Sequence, residues 1–107
     1  MQHKKPEGLV EAMITFDRIY DILFAETKAG ATTPKIWEEV KKIAPGIHDC
    51  LPVQNSYYWK IEISNLLYIR ICIKDGTYIE SACLYLRVEN EEDFQIIYKS
   101  VHLLAQI

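Results

Sequence analysis

The stretch "LYIRICIKDGTYIESACLYLRV", residues 67 to 88, constrains the fold more than any other part of the chain. An Asp-Gly pair, Asp75-Gly76, stands between two alternating runs of β-formers, and that is among the strongest short hairpin signals, because both central residues of a type I′ turn need positive φ. A two-residue turn makes Lys74 face Thr77. Ile73, Ile71, Ile69 and Leu67 then share one face with Tyr78, Glu80, Ala82, Leu84 and Leu86. Cys72, Arg70 and Tyr68 share the other with Ile79, Ser81, Cys83 and Tyr85. The first face is the predicted core, with Glu80 as its one acidic member.

The preceding run, "YYWKIEI", places Tyr57, Trp59, Ile61 and Ile63 on one side and Tyr58, Lys60 and Glu62 on the other. A two-residue turn at Ser64-Asn65 sets Lys60 and Glu62 against the isoleucines. A three-residue loop, Ser64-Asn65-Leu66, restores agreement and pairs Trp59 with Ile71 and Ile61 with Ile69. Because a slip of one residue inverts every side chain, the odd loop is preferred. Three strands follow, near 57–63, 67–74 and 77–88.

Two helices precede them. From Gly8 to Ala29, Leu9, Met13, Phe16, Tyr20 and Leu23 recur at three- and four-residue steps with Ala12 and Ile19 beside them, and Gly30 can stop the helix in a left-handed conformation. Val10, Ile14 and Ile22 fall near the charged side, as expected of a surface that meets a second protomer. A second helix starts at Thr33 as cap with Pro34 in its first turn, buries Ile36, Trp37, Val40, Ile43 and Ala44, and ends at Pro45-Gly46. Residues 45–56 read as a loop. The chain closes on a predicted third helix, capped by Asn90 and striped by Phe94, Ile97, Val101, Leu104 and Ala105. The expected fold is therefore α+β in the order ααβββα, one domain over residues 1–107 with 1–7 as a polar lead, its three-stranded antiparallel meander packed against the helices.

Chemistry is sparse. The glycines number four and fall in separate turns, so no phosphate-binding loop is present. His48-Asp49-Cys50 is the one local cluster of reactive types, and its spacing matches neither a nucleophile with its base nor a metal set. No catalytic residue, metal ligand or cofactor is expected, and the chain reads as non-enzymatic. In the predicted register Cys72 and Cys83 lie two same-face steps apart, at about 6.6 Å each, beyond the about 7 Å a disulfide spans. Three cysteines without framework spacing point to a reducing, cytoplasmic compartment. No run approaches the ~18 apolar residues of a membrane span.

A net charge of −3 argues against nucleic acid, and so does a second helix carrying Glu38 and Glu39 beside its lysines with no Arg, Asn or Gln to read bases. The second sheet face carries Tyr58, Lys60, Tyr68, Arg70, Tyr85 and Arg87, residue types that recognition surfaces enrich. The expected function is contact with another protein, as an inhibitor, immunity or adaptor-type domain and a homodimer, with Tyr68, Arg70 and Tyr85 solvent-exposed. The alternatives are a small-ligand domain with a pocket lined by Tyr57, Trp59 and Tyr78, and a nucleic-acid surface built on Arg70, Arg87 and Lys60 with stacking tyrosines.

Overall fold

The structure, a computed structural model, describes residues 7–44, 47–49, 56–74, 78–88 and 93–101, with side chains at all of these except 47–49, 56, 57 and 78. Two helices, α1 (Leu9–Lys28) and α2 (Thr33–Ile43), are followed by five strands. These are β1 (Ile47–Asp49), β2 (Ser56–Glu62), β3 (Leu67–Lys74), β4 (Tyr78–Leu86) and β5 (Phe94–Ser100). The sheet is antiparallel throughout, in the order β1-β2-β3-β4-β5. The class is α+β, with two strands more than the meander expected from the sequence.

The helical hairpin follows from its punctuation. Gly30 has φ 79°, and around it Ala31 N–H donates to Glu26 O at 2.9 Å and Gly30 N–H to Thr27 O at 3.0 Å. That pair of bonds is a Schellman stop, which a residue with a Cβ resists. α2 begins at Thr33 with Thr32 in the cap position, one residue earlier than expected, and no side chain caps it. Ala12, Phe16, Ile19 and Leu23 of α1 and Ile36 and Val40 of α2 are buried, and α1 lies across β3 and β4. Met13, expected in the core stripe, is 38% exposed.

The helices cover one face of the sheet only. That face is Trp59 and Ile61 of β2, Leu67, Ile69, Ile71 and Ile73 of β3, and Ile79, Ala82 and Leu84 of β4, joined with the helices in one hydrophobic cluster. Trp59 is buried edge-on against Trp37, with ring centroids 5.0 Å apart at 75°. It is core, while the other two residues of the expected pocket, Tyr57 and Tyr78, have side chains outside the described set.

The β2–β3 hairpin has the odd loop: Trp59 pairs with Ile71 and Ile61 with Ile69, while Ile63 N–H donates to Leu67 O at 3.0 Å. Ser64 Oγ accepts from the amides of Leu66 and Leu67 at 3.3 and 3.2 Å and holds the turn.

The β3–β4 hairpin departs from the expected register. Lys74 pairs with Tyr78, so three residues connect the strands, and a bulge then leaves Glu80 unpaired between Ile73↔Ile79 and Cys72↔Ser81. The physical reason lies in which side chain goes inside. A two-residue turn puts Glu80 in the core opposite Ile71 and Ile79 outside. The bulge exchanges them, burying Ile79, worth about 1.5–3 kcal/mol, and freeing the carboxylate from a costly desolvation. Glu80 pairs with Lys74 at 3.5 Å instead. Beyond the bulge the pairing is displaced by two residues from expectation, so every remaining side chain keeps its predicted face.

The predicted closing helix is corrected over residues 94–100, which are a strand. Phe94, Ile97 and Val101 have helical spacing, but the segment is rich in aromatic and β-branched residues, and β4 offers it a full edge of backbone partners. A second bulge, between Leu84 and Tyr85, absorbs Ile96 and breaks the alternation that marks a strand. Lys99 ties this edge strand to α1 through Asp17, at 3.2 Å, and lies over the Tyr20 ring at 4.6 Å. Asn90, Leu104 and Ala105 lie outside the described residues.

Candidate functional site

The face away from the helices gathers Tyr58, Lys60 and Glu62 from β2, Tyr68, Arg70 and Cys72 from β3, and Ser81, Cys83 and Tyr85 from β4, with Arg87 just beyond the strand end. Period-two alternation places them together, and no described helix packs over them. The side chains order one another. Tyr68 and Tyr85, directly paired across β3 and β4, stack at 5.2 Å with their planes 12° apart. Lys60 and Arg87 each lie 4.7 Å from the centre of the Tyr68 ring. The Arg70 guanidinium sits 4.5 Å from the Tyr58 ring and 4.7 Å from the Tyr85 ring and donates to Tyr85 Oη at 3.0 Å. Each such cation–ring contact contributes about 0.5–1 kcal/mol where water reaches it and more where it does not.

None of the three residues expected to be solvent-exposed is so: Arg70 and Tyr85 are half-buried, and Tyr68 is buried. Tyr68 is 6% exposed, with the Tyr85 ring stacked on it and Lys60 and Arg87 over it. Its hydroxyl donates to Asp93 at 2.6 Å, and burial together with that carboxylate pushes its ionisation well above the ordinary tyrosine value. It is therefore the floor of the face, over which Tyr58, Arg70, Tyr85 and Arg87, all half-buried, are arranged.

The charges are unevenly paired. Arg87 makes two bonds to Glu62, at 2.8 and 2.6 Å, and a third to Asn65 O at 3.3 Å, while Lys60 approaches Glu62 at 3.4 Å. The Arg87 bonds hold the Glu62 carboxyl below the usual carboxylate range. Arg70 has no carboxylate partner among the described residues. It borders two adjoining concavities. One, of about 440 Å³, is lined by Tyr68, Arg70, Tyr85, Asp93 and Gln95. The other, of about 210 Å³, adds Tyr58, Glu80 and Tyr98 to the Arg70–Tyr85 pair.

Asp93, Gln95 and Tyr98 escaped the sequence reading because they fell in the predicted helix; as part of β5 or its approach they complete one side of the site. Cys72 and Cys83 stand one same-face step apart, not two, with Cys83 opposite Arg70. With about 6.6 Å along the ladder and about 4.8 Å across it, their Cα atoms are still about 8 Å apart, too far to bridge. Both are free thiols, and burial raises both above the ordinary value, which makes them poor nucleophiles. His48 and Asp49 belong to β1, but their side chains, with Cys50, lie outside the described set; among the described residues no three metal-ligating side chains cluster.

Of the expected dimer contacts, Val10 and Ile14 are 62% and 56% exposed. Ile22 is half-buried against the core, because its position on α1 is rotated from theirs towards the buried stripe. No described helix is long and apolar enough to cross a membrane. Known protein families, curated proteins and solved structures were all compared with the chain, and none matches it.

Proposed function

We propose that the chain is a non-enzymatic recognition domain that binds another protein through the tyrosine–arginine face of its sheet. The observation that carries this reading is preorganisation on the face opposite α1 and α2. Tyr58, Arg70, Tyr85 and Arg87 are held by mutual ring, cation and hydrogen-bond contacts on a face that no described helix shields. Ordering side chains on association costs roughly 0.5–1.5 kcal/mol each, and a set already ordered avoids most of that. Tyrosine and arginine are also the types that dominate binding energy at protein interfaces. The thiols beside them have raised ionisation, and Lys60 and Arg87 are ion-paired with Glu62, which favours adhesion over chemistry.

The ion pairs also speak against a nucleic-acid surface. Two of the three cations expected to meet phosphate, Lys60 and Arg87, share Glu62, and net charge is negative. A second reading, self-association through α1, is favoured by the adjacent exposure of Val10, Met13 and Ile14.

The two readings separate by affinity capture from the native host with wild-type protein, Tyr58→Ser and Ile14→Glu, each checked by thermal melting. The sheet-face reading expects a partner retained by Ile14→Glu and lost by Tyr58→Ser. Equal capture by all three proteins contradicts it.

A further inference from the structure

Resting on that reading, we infer that Arg70 is the anchor for a single side-chain carboxylate on an extended segment of the partner protein. The inference comes from following every described charge on the face to its partner. Glu62 is taken by Arg87 and Lys60. Glu80 is taken by Lys74 at 3.5 Å, and Asp93 accepts the Tyr68 hydroxyl at 2.6 Å. Arg70 remains, at the centre of the sheet on β3, with one of its five N–H donors bonded to the Tyr85 hydroxyl and its faces against two rings. Half-buried guanidinium groups are usually neutralised by a carboxylate, because rings and a phenol oxygen compensate a lost hydration shell only in part.

Two features select the ligand. The first is charge: Asp93 and Glu80 line the two concavities that Arg70 borders. A phosphate dianion or a polyanion meets both, whereas a single carboxylate can take the guanidinium fork in bidentate fashion with the least repulsion. The second is shape. The concavities adjoin, share Arg70, Tyr85 and Gln95, and lie along an open sheet face. Small ligands are held in sites that enclose most of their surface, and an open double groove suits an extended segment that places one acidic side chain at its middle.

The test uses the full chain and a blocked tripeptide, acetyl-Gly-Glu-Gly-amide, followed by the Arg70 Nε–H resonance at fixed ionic strength. Its glutamine counterpart, acetate and inorganic phosphate are titrated in parallel. The inference expects saturable shifts at Arg70 with the glutamate peptide, binding at least tenfold weaker with the glutamine peptide, and clearly weaker binding of acetate and phosphate. Arg70→Lys, which keeps the charge but not the fork and is followed through the Tyr85 ring resonances, should weaken the glutamate peptide at least fivefold. An unresponsive Arg70 overturns the inference, as does phosphate or acetate binding as tightly as the peptide, or Arg70→Lys binding unchanged. Partner capture keeps this apart from the broader reading. If Arg70→Lys and Arg70→Gln retain a partner that Tyr58→Ser loses, the face binds and the carboxylate anchor is wrong; if Tyr58→Ser retains it as well, the face itself is wrong.

Discussion

Replacing Tyr68 first by phenylalanine and then by alanine separates two contributions that the sheet face combines. The phenylalanine variant removes only the hydroxyl, and with it the 2.6 Å bond donated to Asp93. Hydrogen bonds to a charged group contribute about 1.5–3 kcal/mol, and Asp93 is half-buried and can recover some hydration, so the lower end, about 1.5 kcal/mol, is expected. The alanine variant removes the ring as well. That ring is 6% exposed, stacks on Tyr85 at 5.2 Å and carries Lys60 and Arg87 over it. Truncating a buried aromatic costs about 3–5 kcal/mol, and because water can enter from the open face the expected total is about 3 kcal/mol. Domains of this size are stable by only about 5–15 kcal/mol, so this is a large fraction. Urea unfolding reads it directly, as a midpoint lowered by about 1–2 M at unchanged slope, for a slope of about 2 kcal/mol/M. If Tyr68→Ala unfolds within about 1 kcal/mol of wild type, the ring is not a buried, packed part of the fold, and the description of it as the floor of the site is wrong.

Three further outcomes can be checked independently. Titration of thiols in denaturant, on protein purified under air, should count three free groups, and a Cys72–Cys83 bond found by mass mapping would contradict the register. The Glu62 carboxyl is held below the usual carboxylate range by Arg87, so its stabilising effect is fully present above about pH 4.3, the unfolded value, and is lost as pH falls through the lower folded value. Wild type should therefore exceed Glu62→Gln in stability by a constant margin, within about 1 kcal/mol for so exposed a pair, down to about pH 5, and the margin should close below pH 4; a margin that widens in acid contradicts the pairing. If α1 mediates self-association, Ile14→Glu should convert a dimer to a monomer in sedimentation at unchanged melting temperature, whereas a wild type already monomeric at high micromolar concentration excludes it.

Alternation alone made most of the sheet legible. Trp59, Ile61, Ile69, Ile71, Ala82 and Leu84 face the core as their spacing requires, and Tyr58, Arg70 and Tyr85 face away. The misplaced β3–β4 register and the misread β5 share one cause. Each bulge adds a residue to a strand, and a sequence read with a fixed period of two or 3.6 cannot see it. At Glu80 a warning was present, since a lone carboxylate on an otherwise apolar face signals that the register is wrong nearby. At Ile96-Ile97 the doubled isoleucine disguised β5 as a helix and hid Asp93, Gln95 and Tyr98 from the site. β1, three residues long and pairing His48 with Lys60, is too short to show a period at all. The pairing of charges was legible only in outline. That Glu62 serves Arg87 and Lys60 while Arg70 is left over depends on which rotamers meet across strands, and spacing carries no record of that.

The claim that the tyrosine–arginine face is the recognition surface is tested most directly by mapping the captured partner onto the protein in solution. Side-chain resonances of Tyr58, Arg70 and Tyr85 should shift or broaden on addition of the partner, while the methyl groups of Val10 and Ile14 on α1 stay unmoved. Perturbation of those methyls with the sheet-face signals unchanged would contradict it and move the binding surface to the helix.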